Sequence, residues 1–401
     1  MKRILFYTEN FSDASSRGGT EIATFRIAKA LKDSGQCEVY NAFRKKWDGE
    51  SRSVYHDVVK LPGGHREFES ALAAFIRAHN IDVVVNMTRF FRHNSLNKAI
   101  EKSGRDVKLI FMQHFAPGSE FKKVTFKSGR HLLSLNPRNP LYWLRASVYP
   151  LLKMPRNRAL SKKYREVYES SDKVILLSEG YIEDYCKIAG IEDRSKFEVI
   201  PNIYGDAVNS APDCQVAIDP QEIRKEKRVL ILSRMDEIQK RISLALQIWR
   251  NIEKDADLSD WQLDIVGAGH NMDIVKRLVK KYGLTNVNIH GWQASEPFLR
   301  GSEILMMTSE YEGLPLSLLE AQEYGVVPVA FNAFSSLKDV VTPFETGVVV
   351  EKFGDIEDYT AKLSELMYDA AYREELRTNG SRNVRKFSSE KIADKWLKIL
   401  I

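Results

Sequence analysis

Short apolar runs alternate with amphipathic helical stretches along the whole chain, and this alternation constrains the fold more than any other feature. Strand-like runs in the first half fall at Arg3–Thr8, Glu38–Phe43, Asp82–Asn86, Val107–Gln113, Lys173–Leu177 and Phe197–Ile200. Helical periodicity fills the intervals, most clearly at Glu67–Ala78 and at Thr20–Lys32, where Ile22, Phe25, Ile27, Ala28 and Leu31 mark one face. Strands separated by helices pair in parallel, so a largely parallel sheet covered by helices is expected.

Pro201-Asn202 ends the first series, and the polar stretch from Tyr204 to about Lys227 reads as a linker over 205–227. A second series then begins, with strands expected at Arg228–Ser233, Gln262–Val266, Val287–His290, Ile304–Thr308, Val327–Ala330 and Gly347–Val350. Two Rossmann-like halves follow, 1–204 and 228–386, with a final helix over 387–401 whose Ile392, Trp396, Leu397 and Ile399 form an apolar face. A length of 401 residues suits two such domains. With 43% hydrophobic and 28% charged residues, the chain is too apolar for disorder and can fill both cores.

The N-terminal residues lack the long apolar core of an export signal, and no stretch reaches the roughly 18 apolar residues that span a bilayer, so a cytoplasmic protein is expected, with any membrane contact peripheral. Cys37, Cys186 and Cys214 are too far apart to frame a zinc site or a disulfide scaffold. None of the eight histidines forms an HExxH pattern, and the lone D-x-D, Asp255-Ala256-Asp257, falls in a polar turn. No metal site is expected.

The most informative motif runs Ser309-Glu310-Tyr311-Glu312-Gly313-Leu314-Pro315-Leu316-Ser317-Leu318-Leu319-Glu320-Ala321, directly after the strand at Ile304–Thr308. Pro315 suits a first helical turn, since its ring presets φ and its missing N–H would have no partner there. Gly313 and Leu314 then leave N–H groups at the positive end of a helix, a ready phosphate site. Glu320 lies about 8 Å further along the axis, while Glu312 stays in the loop. One carboxylate on each side of an anion site matches a nucleotide diphosphate sugar, whose hydroxyl pairs flank its diphosphate.

On these residues the chain resembles the retaining GT-B glycosyltransferases of family 4, whose E-x7-E motif corresponds to Glu312 and Glu320 within E-G-L-P-L-S-L-L-E-A. The resemblance is nearly continuous over the second half and looser over the first. It implies a GT-B fold, two Rossmann-like domains facing a cleft, with the C-terminal helix returning to the first domain. It also implies that Glu320 holds the ribose, that Glu312 contacts the donor sugar, and that the backbone of Gly313, Leu314 and Leu316 holds diphosphate. Retention by front-face attack would need no protein nucleophile.

A departing diphosphate must be stabilised by a metal or by fixed cations. Arg234 closes the first strand of the second half, and Lys240-Arg241 precedes a helix carrying Leu244, Leu246, Ile248 and Trp249. Arg offers a planar fork and Lys a point charge. The segment S-R-M-D-E-I-Q-K-R resembles the family's cationic element with one extra residue, so either Lys240 or Arg241 is the phosphate ligand; Lys240 is favoured, and chelators should not affect turnover. In the first half, Gly18-Gly19-Thr20-Glu21 resembles a family element that approaches the donor phosphates and acceptor, and His114, after the strand Val107–Gln113, resembles an active-site histidine. Gly291-Trp292 resembles the place where the family's backbone meets the base, whereas Gly267-x-Gly269 carries little weight.

Net charge is +6, yet Phe121–Arg165 alone holds twelve Lys or Arg and no Asp or Glu, so the remainder is net acidic. Aromatic and aliphatic residues interleave these cations, as an anionic membrane surface would require. The sequence reads as a metal-independent retaining transferase, moving a hexose or hexosamine from a UDP-linked donor to a glycan or polyprenyl-lipid-linked acceptor in polysaccharide synthesis at the inner face of the membrane. No cofactor beyond the donor and no nucleic acid is expected. A nucleotide-sugar-binding assembly partner without turnover is the alternative.

Overall fold

The computed structural model describes residues 1–13, 16, 19–45, 54–122, 126–137, 139–204 and 225–401. Two compact units emerge, each described in turn. The first comprises Met1–Gly118, Pro155–Ser210 and Phe387–Ile401; the second comprises Ser119–Met154 and Ala211–Lys386.

Among the described residues, the first unit holds a parallel sheet of β1 (Lys2–Thr8), β2 (Cys37–Phe43), β3 (Asp57–Lys60), β4 (Val83–Asn86), β5 (Lys108–Gln113), β6 (Lys173–Leu176) and β7 (Phe197–Val199), in the order β3-β2-β1-β4-β5-β6-β7. Strands β1, β4 and β5 are almost wholly buried, as near-continuous apolar runs covered on both faces should be. The edge strand β3 escapes pattern reading because its four residues, Asp-Val-Val-Lys, give too short an apolar signal. The final helix, Ser389–Leu400, belongs to this unit: it packs beside the helix Gly19–Asp33, and Trp396 meets Phe6 of β1 edge to face, 6.2 Å between centroids.

The second unit repeats the design with β8 (Glu226–Leu232), β9 (Gln262–Val266), β10 (Val287–Gly291), β11 (Ser302–Met307), β12 (Val327–Phe331) and β13 (Val348–Val350), ordered β10-β9-β8-β11-β12-β13. Buried Trp249 and Trp261 anchor its core. Strand β8 begins at Glu226, and Lys225 Nζ donates to the carbonyls of Leu299 and Tyr324, so the end of the expected linker belongs to this unit; residues 205–224 lie outside those described.

Part of the basic segment also packs here, although it falls within the span expected for the first domain. Leu132 and Tyr142 enter the second unit's core, and Arg277 donates to the carbonyl of Leu135 at 3.2 Å. Ligands of open parallel sheets bind beyond the carboxyl ends of the strands, where the strand order reverses. That reversal lies between β1 and β4 in one unit and between β8 and β11 in the other.

Candidate functional site

The loops after β8 and β11 in the second unit flank its reversal point, and they carry most of the residues singled out in the sequence. Asp236 starts a single helical turn, Glu237–Lys240, by accepting from the N–H groups of Ile238 and Gln239. Arg241 then adopts a left-handed conformation, φ 51°, between this turn and the helix Ile242–Ile252. Thr308, just past β11, donates its hydroxyl to the carbonyls of Lys240 (2.9 Å) and Arg241 (3.1 Å), while the N–H of Glu310 donates to the Gln239 carbonyl. These bonds zip the two loops together.

The side chains pair across that zip. Lys240 Nζ lies 2.5 Å from Glu312 Oε1, both side chains largely buried, and Gln239 Nε2 donates to Glu312 Oε2 and to the Tyr311 carbonyl, each at 3.1 Å. Arg241 donates through Nε and a terminal nitrogen to Glu310. Lys240 and Arg241, interchangeable by spacing alone, therefore have different partners: Lys240 meets the motif carboxylate and Arg241 its neighbour. Arg234 is exposed and donates to Gln239 Oε1 at 3.3 Å.

The helix after the motif runs Leu316–Glu323, with Pro315 as its cap residue rather than within its first turn. Among the described residues the N–H groups of Gly313 and Leu314 have no acceptor, whereas Leu316 N–H is turned back onto the Leu314 carbonyl at 2.9 Å. The N–H groups of Gly313 and Leu314 at this helix start are thus open to a ligand, whereas that of Leu316 is engaged by the local turn. Glu320 occupies the fifth helical position and is half-buried.

The Gly-x-Gly pair proves to be a packing requirement. A Cβ on Gly267, at φ +133°, would sit 1.8 Å from the Ser233 carbonyl oxygen, and one on Gly269 would sit 2.5 Å from that of Met235. The loop carrying Arg234 rests directly on this glycine backbone, held by Met235 N–H on the Ala268 carbonyl. Gly267 N–H in turn donates to the carbonyl of Gly291, which ends β10 at φ 71°, and the Trp292 ring beyond it is 67% exposed.

Beneath the cationic turn lies a network that pattern reading missed. Glu237 is buried and accepts from the N–H and hydroxyl of Ser243; His131 Nε2 lies 2.9 Å from its Oε1. Asn271 accepts from Glu237 N–H at 2.9 Å, donates to the Tyr142 hydroxyl at 3.1 Å, and its own N–H donates to the Met235 carbonyl. His131 and Tyr142 of the basic segment thereby buttress the turn that presents Lys240. Gln239 and Glu310 were legible only as polar neighbours of the motif residues.

In the first unit, Gly18 lies outside the described residues, and Gly19 opens its helix with no atom within 4 Å of where a Cβ would stand. His114 follows β5; its Nε2 is buried with no hydrogen-bond partner among the described residues, and burial pushes the imidazole pKa down to about 4, with Asn202 opposing weakly. It is neutral at pH 7. Among the described residues no group of three or more His, Cys, Asp and Glu is arranged to hold a metal ion. Asp255 of the D-x-D caps a turn and accepts from the Tyr368 hydroxyl at 2.7 Å.

Residues 215–383 match the family model "Glycosyl transferases group 1". The chain is 32% identical over 180 residues to the amylovoran biosynthesis glycosyltransferase AmsD of Erwinia amylovora, an alignment covering 44% of this chain and 49% of that protein. It is 23% identical over 316 residues, 78% of this chain and 79% of the other, to a Campylobacter jejuni N-acetylgalactosaminyltransferase acting on an undecaprenol-diphosphate-linked glycan. Anabaena HepE in complex with UDP and glucose shares the fold, with a TM-score of 0.71 at 15% identity over 100% of this chain and 99% of that one. Residues 215–383 thus match the group 1 glycosyltransferases, and the chain has the GT-B fold of two Rossmann-like domains. It spans about half the length of the first curated relatives it matches.

Proposed function

We propose that the protein is a retaining glycosyltransferase that moves a hexose or hexosamine from a UDP-linked sugar to a glycan or lipid-linked acceptor in cell-surface polysaccharide synthesis. The observation that carries this reading is the Lys240–Glu312 pair beside the free N–H groups of Gly313 and Leu314, at the strand-order reversal of the second unit. A diphosphate drawn to those donors reaches the Lys240 ammonium and the exposed Arg234 guanidinium, which take up the negative charge of the leaving group. Glu312 accepts from donor-sugar hydroxyls, Glu320 from the ribose, and Gly291-Trp292 borders the base. In the first domain, expected over 1–204 and taking the acceptor, Gly18, Gly19 and the neutral His114 keep the roles the family resemblance gives them.

Attack by the acceptor hydroxyl forms the new glycosidic bond as the sugar–phosphate bond breaks, and the departing diphosphate accepts the hydroxyl proton. Fixed cations supply the stabilisation, so turnover should survive EDTA; loss of turnover restored by magnesium would contradict this assignment. UDP-glucose, UDP-galactose and UDP-N-acetylglucosamine are the donors to test, each by slow hydrolysis without acceptor. Hydrolysis of one of them supports a transferase, whereas UDP binding with neither hydrolysis nor transfer would favour a non-catalytic assembly partner. Relatives named for amylovoran synthesis and for an undecaprenol-linked glycan support the acceptor class.

A peripheral seat on the inner face of an anionic membrane belongs to the same proposal. Leu141, Trp143 and Leu144 are 63%, 59% and 57% exposed within the basic segment 121–165, an apolar patch beside cations each worth about 1 kcal/mol near anionic lipid. Among the described residues no helix is long and apolar enough to cross a membrane. Sedimentation with phosphatidylglycerol vesicles but not phosphatidylcholine vesicles is expected; equal recovery with both would remove the electrostatic part of the reading.

A further inference from the structure

The first unit has a pocket of its own at its strand-order reversal. The cavity, about 510 Å³, opens where β1, β2, β4 and β5 end, between Glu9, Arg44, Lys45, Thr88, Arg89 and Phe115. That volume suits a ligand the size of a substituted sugar. Its chemistry is lopsided. Glu9 is shared by two cations, Arg44 at 2.9 Å and Lys45 at 3.3 Å, and Glu21 accepts from Asn10 at 2.8 Å. Two further guanidinium groups line the pocket, and among the described residues neither has a carboxylate partner. Arg89 lies over the Phe115 ring, 4.4 Å from its centroid. Arg92 is only 8% exposed; it donates to the Gly63 carbonyl at 2.6 Å and faces His65 Nδ1 at 3.2 Å.

A guanidinium taken from water without a counter-charge is costly, and here buried Arg92, with Arg89, Arg44 and Lys45 beside it, borders space large enough to hold a counter-charge. Arg forks match the planar or tetrahedral oxyanions of carboxylates and phosphates. We infer that this pocket binds an oxyanion carried by the acceptor, a phosphate or diphosphate ester or a sugar carboxylate, so that the enzyme selects acidic acceptors over neutral ones. The inference rests on the reading that the first unit takes the acceptor. It adds Arg89, Arg92, Arg44 and Lys45 as specificity-determining residues.

The test uses the full chain at saturating UDP, so that the donor site is filled, titrated calorimetrically with inorganic pyrophosphate, glucuronate and neutral methyl glucoside. One or both anions should bind, and methyl glucoside at least tenfold more weakly. Arg89→Gln combined with Lys45→Gln, both partly exposed positions, should weaken the anion about tenfold to a hundredfold and leave UDP affinity unchanged. Stronger pyrophosphate binding identifies a diphosphate-bearing acceptor, and stronger glucuronate binding an acidic sugar. Absence of binding by both anions, equal binding of methyl glucoside, or anion binding that survives the double substitution would overturn the inference. Hydrolysis of UDP-glucose, UDP-galactose and UDP-N-acetylglucosamine by the same proteins without added UDP keeps the two readings apart: hydrolysis of one of them persists if only the anion pocket is wrong, and none is hydrolysed if the transferase assignment is wrong.

Discussion

Both sheets reverse their strand order after the first strand of each series, yet the loops at the two reversals are charged in different ways. At the β8/β11 reversal, Lys240 is matched by Glu312 and Arg241 by Glu310, across loops clamped by Thr308. At the β1/β4 reversal, Arg44 and Lys45 share one carboxylate, and Arg89 and Arg92 have none among the described residues. A balanced site suits a ligand that brings both anionic oxygens and hydroxyls, because a phosphate oxygen that engages Lys240 frees Glu312 to accept from the sugar. A site with surplus cations suits a ligand whose own charge completes it. The same α/β scaffold thus supports two kinds of recognition, decided by a few loop residues.

Removing one half of the balanced pair should have the largest effect. Lys240→Ala should lower kcat by about a hundredfold to a thousandfold, the scale of losing one preorganised group that stabilises developing negative charge. It leaves Glu312 buried without its cation, so Glu312→Gln in the same background should restore folding but not turnover; steady-state donor hydrolysis and thermal unfolding read the two effects separately.

Glu320→Ala comes next. It should weaken UDP about tenfold to a hundredfold, at roughly 1.5–3 kcal/mol per charged hydrogen bond lost, while leaving anion binding in the first unit alone. Calorimetry with UDP checks this, and an unchanged affinity would remove Glu320 from the donor site.

Gly267→Ala tests the platform rather than the ligands. Its Cβ would collide with the Ser233 carbonyl at a φ that other residues rarely adopt, which should cost about 2–3 kcal/mol and displace the Arg234 loop. A lower unfolding temperature with weaker UDP binding is expected; Gly291→Ala, whose Cβ meets nothing within 4 Å, should cost less.

The smallest effect concerns pH in the first unit. Burial pushes His93 and His114 from 6.5 down to about 4. Their folded forms resist protonation, so the stability they confer is complete above pH 6.5 and is lost as pH falls from 6.5 towards 4. His114→Gln should flatten that limb of the unfolding-temperature profile, and an unaltered slope would contradict its burial as a neutral imidazole.

Much of this was legible in the sequence because periodicity and motif chemistry are local. Twelve of the strands fall within two residues of where apolar runs place them, and the motif glutamate, the cationic pair and a helix start near Pro315 follow from spacing. What escaped depends on contacts between distant residues. No pattern in His131 or Tyr142 announces that they meet Glu237 and Asn271, more than a hundred positions away. Nor does sequence separate Lys240 from Arg241; that needs the left-handed turn at Arg241, which sends adjacent side chains to different carboxylates. The anion pocket was invisible for the same reason, since Glu9, Arg44 and Arg89 come together only when β1, β2 and β4 align.

Titration of UDP into the protein in the presence of EDTA, comparing wild type with Lys240→Ala, Glu320→Ala and Arg89→Gln, decides whether fixed cations hold the donor. Binding should be metal-independent, fall at least tenfold in the first two variants and stay unchanged in the third. Equal UDP affinity in Lys240→Ala and wild type, or binding abolished by EDTA, would contradict that role of the cations.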